Sequence, residues 1–269
     1  MADILILGGT GKTGRRVAAE LRRRGHTARA VSRSSVTRFD WHDRATWAPA
    51  LEGVSAAYVV DSQGPDAAAL LGEFAGLAVA KDVSRLVYLS ARDWAVSGGD
   101  ERLAAERALQ ASGSEWTILR PTWFAQNFSE ASHLAGPVRD GELVLPTGHG
   151  QEPFVDAEDI AAVAAVTLTE PGHAGEIYEL SGPRLLTFGE AVDEIARVSG
   201  RDIAYVPVTH ERYAEHAAER RYFSPALVDE LNTLCGWIAA GRNAHLSDGV
   251  QRVLDRKPRD FREYVRATW

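Results

Sequence analysis

The sequence predicts a doubly wound parallel β-sheet with helices on both faces and a smaller, mostly helical C-terminal lobe. Three observations predict it. Over the first 120 residues, short apolar runs alternate with helical periodicities, the pattern of repeated βαβ crossovers. A glycine-rich segment follows the first apolar run directly. Beyond Pro121 the alternation breaks and helical periodicity dominates.

Residues 3–7 are a short apolar run bounded by breakers, as expected of a strand buried on both faces. Residues 12–24 follow as a helix, with Val17, Ala18 and Leu21 on one side and arginines on the other. A strand is expected over 27–32, then a short third strand before Asp40, a helix near 44–51 and a strand over 56–60. The pattern continues with a helix over 66–81, a strand over 85–90, a helix over 100–112 and a strand over 115–120. Residues 136–153 are rich in Gly and Pro, with a short hairpin expected around 143–145. Asp156 opens a helix, with Asp159 at capping-box-like spacing. The run 175–180 is expected to return to the main sheet. Thr187-Phe-Gly-Glu190 is a capping box whose helix ends at Gly200. Ser224-Pro225 starts a further helix, with Leu227, Leu231, Leu234 and Ile238 as its apolar stripe. The expected division is a core of 1–125, rejoined by 153–183, and a lobe of 126–152 with 184–269.

The glycine segment reads Gly8-Gly-Thr-Gly-Lys-Thr-Gly14, so Gly8, Thr10, Gly11, Lys12, Thr13 and Gly14 are candidate cofactor contacts. One glycine turns the chain out of the strand, another lets a pyrophosphate approach the backbone, and the last packs helix against sheet. The strand before and helix after supply the context such a fingerprint needs. A P-loop would need glycine where Ile6 stands. Lys12 is either a loop residue near phosphate or simply a solvated lysine. An NAD site wants an acid after the second strand. No Asp or Glu occurs between Leu21 and Phe39, a span carrying Arg22, Arg23, Arg24, Arg29, Arg33 and Arg38. Arg33 with Ser34 suits a 2′-phosphate, which points to NADP(H). Asp40 and Trp41 either border the adenine or, for Trp41, pack in the core. Ser62 joins the cofactor candidates.

Several segments resemble the NmrA-like branch of the atypical short-chain dehydrogenase/reductases. They are the glycine loop, Leu89-Ser90, Thr117-Ile-Leu-Arg-Pro-Thr-Trp-Phe124 with Asn127, Phe154-Val-Asp-Ala-Glu-Asp-Ile160, Tyr178-Glu-Leu-Ser-Gly-Pro183 and Arg256-Lys-Pro-Arg-Asp-Phe261. The resemblance spans essentially the whole chain. It implies a Rossmann domain binding NADP(H), a small lobe over the nicotinamide, and a backbone near Pro121 and Thr122 that meets the carboxamide. Members of the family either reduce quinones, imines, azo dyes and similar acceptors or sense NADP(H) through protein partners. An ordinary short-chain dehydrogenase carries Tyr-x-x-x-Lys. The residues four before Lys12, Lys81 and Lys257 are Gly8, Leu77 and Val253, so that pair is absent. A conjugated acceptor can still take hydride and draw its proton from water. The expected function is therefore an NADPH-dependent reductase of planar unsaturated small molecules. The alternative is an NADP(H) sensor without turnover, or a relic that only retains the cofactor.

Ser90 is a catalytic or nicotinamide-binding candidate, its alternative being a strand-end cap. Arg92, Trp94, Trp123, Phe124 and Asn127 are candidate substrate-pocket residues, with core packing the alternative for the aromatics. Asp93 is a candidate proton donor and Arg92 an anion anchor; a surface ion pair is the alternative for both. No His-x-x-x-His occurs among eight histidines and Cys235 stands alone, so no metal site is expected. No Gly-x-Ser-x-Gly elbow is present. The 269 residues hold 30 Lys and Arg against 37 Asp and Glu, a net charge of −7 that disfavours nucleic acid as partner. The opening residues lack the basic region of a signal peptide, and the apolar run 160–166 is too short to cross a bilayer. A cytoplasmic monomer or homodimer acting on a small-molecule substrate, away from membranes, is expected.

Overall fold

The computed structural model describes residues 3–96, 103–130, 133–220 and 223–269. In chain order the elements begin with β1 (Asp3–Ile6), α1 (Gly14–Arg23), β2 (Ala28–Ala30), α2 (Trp47–Leu51), β3 (Val54–Val59), α3 (Ala67–Ala80) and β4 (Arg85–Leu89). They continue with α4 (Arg92–Val96), α5 (Ala104–Gln110), β5 (Glu115–Pro121), α6 (Ala135–Asp140), β6 (Glu142–Leu145), β7 (Gln151–Glu152) and α7 (Ala157–Thr169). The remainder is β8 (Glu176–Leu180), β9 (Leu186–Thr187), α8 (Phe188–Ser199), β10 (Ala204–Pro207), α9 (His210–Arg220), α10 (Pro225–Ala239), α11 (Gly249–Leu254) and α12 (Phe261–Thr268). The residues 100–102 expected at the start of the fourth long helix lie outside the described residues.

The chain divides into two compact units. The first comprises Met1–Pro121, Ala157–Leu180 and Asp248–Lys257; the second comprises Thr122–Asp156, Ser181–Ser247 and Pro258–Trp269. In the first unit six strands run in the order β2-β1-β3-β4-β5-β8, every neighbouring pair parallel. Side chains alternate between the two faces of a strand. Leu5, Leu7, Ala57, Val59, Leu86, Tyr88 and Ile118 accordingly join α2, α3 and α5 in one apolar cluster. Helix α7 packs against α1 and, through β3, β4 and β5, on the sheet. Both faces are covered, which is why these strands read as continuous apolar runs. The return of 175–180 is present as β8, paired with β5 from Thr117↔Glu176 to Pro121↔Leu180.

Two expected strands differ. No third strand precedes Asp40: residues 33–37 form a turn, and Ser32 and Arg38 share only an isolated bridge. The turn is held by Ser35, whose hydroxyl donates to the Thr37 carbonyl at 2.7 Å and accepts from the Ser32 N–H at 2.7 Å. Leu143 does not sit in a hairpin either. Strand β6 pairs in parallel with β10, some sixty residues away in sequence. Local turn residues could not reveal a partner that distant.

The second unit is built around Phe128 and Phe154, whose ring centroids lie 5.1 to 5.9 Å from each other and from those of Phe188 and Phe261. Its helices start as their sequences direct. The Thr187 hydroxyl accepts from the Glu190 N–H at 3.1 Å, and Glu190 accepts from the Thr187 N–H at 2.8 Å. Ser224 caps α10 ahead of Pro225. The buried stripe of α10 is Val228, Leu231, Cys235 and Ile238, with Leu227 and Leu234 at its margin. Asp260 caps α12 by accepting from the Arg262 N–H at 2.8 Å. The same carboxylate takes two bonds from Arg184 at 2.7 and 2.9 Å, and Arg184 also reaches Glu194 on α8 at 2.8 Å.

This cluster makes a stability prediction. The Asp260 carboxyl is held below its ordinary value first by the Arg184 hydrogen bond and further by the Arg262 backbone. A depressed carboxyl stabilises the fold above its unfolded value of about 3.9 and loses that contribution as pH falls through the lower folded value. Replacing Arg184 with Met removes charge-assisted bonds worth about 2–3 kcal/mol. Urea unfolding is expected to show that loss at neutral pH and a smaller one near pH 3, below the unfolded carboxyl value of about 3.9, where the contribution has begun to fade.

Candidate functional site

The site begins at the carboxyl end of β1. Leu7 donates its N–H to the Tyr58 carbonyl at 3.0 Å, and Gly9 donates to Val31 at 3.0 Å, so the turn is stitched to both neighbouring strands. Gly8 turns the chain with φ of 65°, and its carbonyl accepts from Gly11 N–H at 2.8 Å. A Cβ on Gly14 would stand 2.3 Å from that same carbonyl oxygen, and one on Gly9 would stand 2.6 Å from the Ala30 Cβ. Only glycine permits α1 to start this close to β1. No acid occupies the first turn of α1, and Thr13 gives it no side-chain cap. The positive end of the helix dipole therefore remains available to an anion. These features fit a pyrophosphate.

Within the loop, Thr10 is exposed and Lys12 half-buried. Thr13 is buried, and its hydroxyl lies beside the Tyr58 phenol. Burial pushes that phenol far above its ordinary value, so it stays neutral beneath the loop.

The arginines near β2 sort themselves by partner. Arg22 bonds the Ala28 carbonyl, Arg23 and Arg24 reach Glu20, Arg29 reaches Asp3, and Arg38 reaches Asp40 and Asp43. Arg33 alone of the six is exposed without a hydrogen bond or ion pair among the described residues. Ser34 next to it is exposed too, its hydroxyl 3.3 Å from that of Ser32. Asp40 is committed to the fold: its carboxylate accepts from the His42 N–H and from Arg38, and its carbonyl from Trp47 Nε1 at 2.9 Å. Trp41 joins Phe39, Trp47 and Phe74 in an edge-to-face cluster, its Nε1 bonded to the Val60 carbonyl at 3.0 Å, yet it remains half-buried.

Beyond β3, Ser62 donates to Asp66 at 3.2 Å. Asp61 accepts from the Tyr88 phenol at 2.5 Å, and burial together with the Asp61 charge pushes that phenol far above its usual range. At the end of β4, Ser90 is buried and donates to Glu106 Oε1 at 2.5 Å. Arg120 grips both oxygens of Glu106, at 3.0 and 2.6 Å. Sequence reading missed Glu106. Its signal was its place with Ala105 and Leu109 on the buried side of a short helix. Helix α4 was missed as well, and it overturns the surface-pair alternative: Arg92 has no exposed surface and Asp93 only 7%. Trp94 on α4 is half-buried.

The other candidates belong to the second unit, apart from Pro121, which ends β5 buried. Thr122 donates to the Pro153 carbonyl at 2.7 Å. Trp123 packs edge-on against His133 and Phe188 at 5.3 and 5.5 Å, so its surroundings are those of a core residue. Phe124 and Asn127 are half-buried. Among the described residues, no three His, Cys, Asp or Glu side chains are grouped to hold a metal ion, and no helix is long and apolar enough to cross a membrane.

Comparison with known proteins agrees with this geometry. The family described as NAD(P)H-binding matches residues 8–171. Festuclavine synthase I of Penicillium roqueforti is 30% identical, over 97% of this chain and 96% of its own. An NAD(P)H azoreductase of Xenophilus azovorans is also 30% identical, over 98% and 97%. In fold, the chain is similar to the triphenylmethane reductase of Citrobacter sp. solved with NADP(H), with a TM-score of 0.84, 21% identity, and coverage of 99% and 100%.

The loop geometry predicts the effect of one added methyl. Gly14→Ala is expected to push α1 away from the Gly8 carbonyl and weaken dinucleotide binding about tenfold or more, at least 1.4 kcal/mol. Calorimetric titration with NADP⁺ measures it. Unchanged affinity would remove the loop from the site.

Proposed function

The chain belongs to the NAD(P)H-binding family, as an NmrA-like atypical short-chain dehydrogenase/reductase, and on that premise we propose that it passes hydride from NADPH to a planar, unsaturated small molecule. That it is an NAD(P)H-dependent oxidoreductase follows from its kinship. The choice of NADPH rests on one observation above all, the unpartnered Arg33 beside Ser34 in a span without acids. A planar guanidinium there can meet the 2′-phosphate with paired N–H donors, and the serine hydroxyl adds another.

The loop from Gly8 to Gly14 would hold the pyrophosphate against the start of α1. Half-buried Trp41 would border the adenine, Ser62 would contact the cofactor beyond β3, and Ser90 would contact the nicotinamide half. Bound there, reduced nicotinamide supplies the hydride. The acceptor class is inferred from relatives named for azo and triphenylmethane compounds and from the missing Tyr-x-x-x-Lys. An acceptor whose charge delocalises on reduction needs no tyrosine to protonate an oxygen. Half-buried Trp94 on α4 would offer an aromatic surface for such a molecule.

Two measurements test this. Incubation with NADPH and a panel of azo compounds, quinones and imines is expected to consume NADPH only when an acceptor is added. Tight binding with no consumption across the panel would favour a sensing role instead. Arg33→Ala is expected to weaken NADPH by about 1.5–3 kcal/mol, roughly 10- to 150-fold, with little change for NADH. Equal effects on both cofactors would refute the 2′-phosphate assignment.

A further inference from the structure

The buried group of Ser90, Glu106 and Arg120 has a proton arrangement that follows from chemistry alone. A carboxylate only accepts hydrogen bonds and a guanidinium only donates them. Arg120 donates to Glu106 Oε1 at 3.0 Å and to Oε2 at 2.6 Å, so Glu106 faces it as an acceptor. Ser90 Oγ lies 2.5 Å from the same Oε1. The single hydroxyl proton of Ser90 must therefore point at Glu106. What Ser90 can offer elsewhere is its lone pairs.

Location gives that polarity a meaning. The pyrophosphate turn follows β1, and Arg33 follows β2 on one side of it. The other half of a dinucleotide then extends over the strands on the opposite side, β3 and β4. Ser90 directly follows β4, which lies two strand spacings or about 10 Å from β1. A nicotinamide carboxamide presents a carbonyl and an NH₂ there, and an acceptor-only hydroxyl can bond the second but not the first.

We propose that Glu106, braced by Arg120, is a positioning residue that fixes Ser90 as a hydrogen-bond acceptor for the carboxamide N–H of the nicotinamide. This rests on the reading of the first unit as an NADP(H) site. The consequence is orientational: the carboxamide would be bonded with its NH₂ toward β4. Ser90 is correspondingly not the proton donor to the acceptor molecule.

The 3-acetylpyridine analogue of NADP⁺ keeps the carbonyl but has no N–H, so it isolates the contact. Affinities for NADP⁺ and for the analogue are measured by calorimetry on the intact protein, Ser90→Ala and Glu106→Gln. The native protein is expected to prefer NADP⁺ by roughly two- to tenfold, the worth of one neutral hydrogen bond. Ser90→Ala is expected to abolish the preference while its melting temperature stays near native, because Arg120 still satisfies Glu106. Glu106→Gln is expected to shrink the preference with Ser90 intact, and the double variant to show no further loss. A purely structural role would weaken both ligands alike and leave their ratio unchanged. A preference that survives Ser90→Ala, or a native protein that binds both ligands equally, overturns the inference. If Glu106→Gln fails to fold, Glu106→Asp is measured in its place, and a ratio equal to the native one overturns the positioning role. A native protein that binds neither ligand overturns the NADP(H) reading itself, a distinguishable outcome.

Discussion

How closely α1 approaches β1 governs everything at the carboxyl ends of the sheet. The missing Cβ of Gly14 lets the first turn of the helix sit on the Gly8 carbonyl, where a methyl would lie 2.3 Å from oxygen. That contact aims the helix axis at the turn after β1. The turn is in turn pinned by Gly9 to β2 and by Leu7 to β3. A dipole aimed and held in this way meets an anion without reorganising, which is where its electrostatic value lies. The exposed guanidinium of Arg33 lies in the turn that follows β2, and the half-buried ring of Trp41 is tied by its Nε1 to the Val60 carbonyl just beyond β3.

Further along the same edge the polar groups are spent on one another. Tyr88 holds Asp61, and Arg120 holds Glu106, which holds Ser90. Groups so buried are costly when unpaired and rigid when paired. Helix α5 presents a carboxylate already paired with an arginine. This edge is therefore equipped to orient a bound molecule more than to exchange protons with it. The conjugated acceptor proposed above, which would stabilise added electrons itself, would suit such an edge.

Much of this was legible in the residues. The first strand, the glycine turn and the first helix are adjacent in sequence, so local pattern suffices. The Thr187–Glu190 box and the Ser224 cap are local as well, and both are present. The return of β8 could be read because Ile177, Tyr178 and Leu180 form a short strand-like segment bounded by Gly175 and Gly182. The partner of β6 could not, since β10 lies far along the chain and the pairing is parallel. Helix α4 has only five residues, too few for a period to declare itself. Of the site, the glycines and Arg33 stood out by spacing and by the lack of acids nearby. Glu106 did not, because a glutamate in a short alanine-rich helix looks solvated until Ser90 and Arg120, sixteen and fourteen residues away, are seen to meet it.

The path of the chain has one more consequence. The first unit needs Ala157–Leu180 for its last strand and one covering helix, and Asp248–Lys257 for another. A ribosome delivers residues in order, so β5 remains an unpaired, apolar sheet edge until β8 has emerged. The nascent polypeptide must hold that adhesive margin apart from neighbours while the intervening segment is being made. Its final closure waits until Asp248–Lys257 has been delivered.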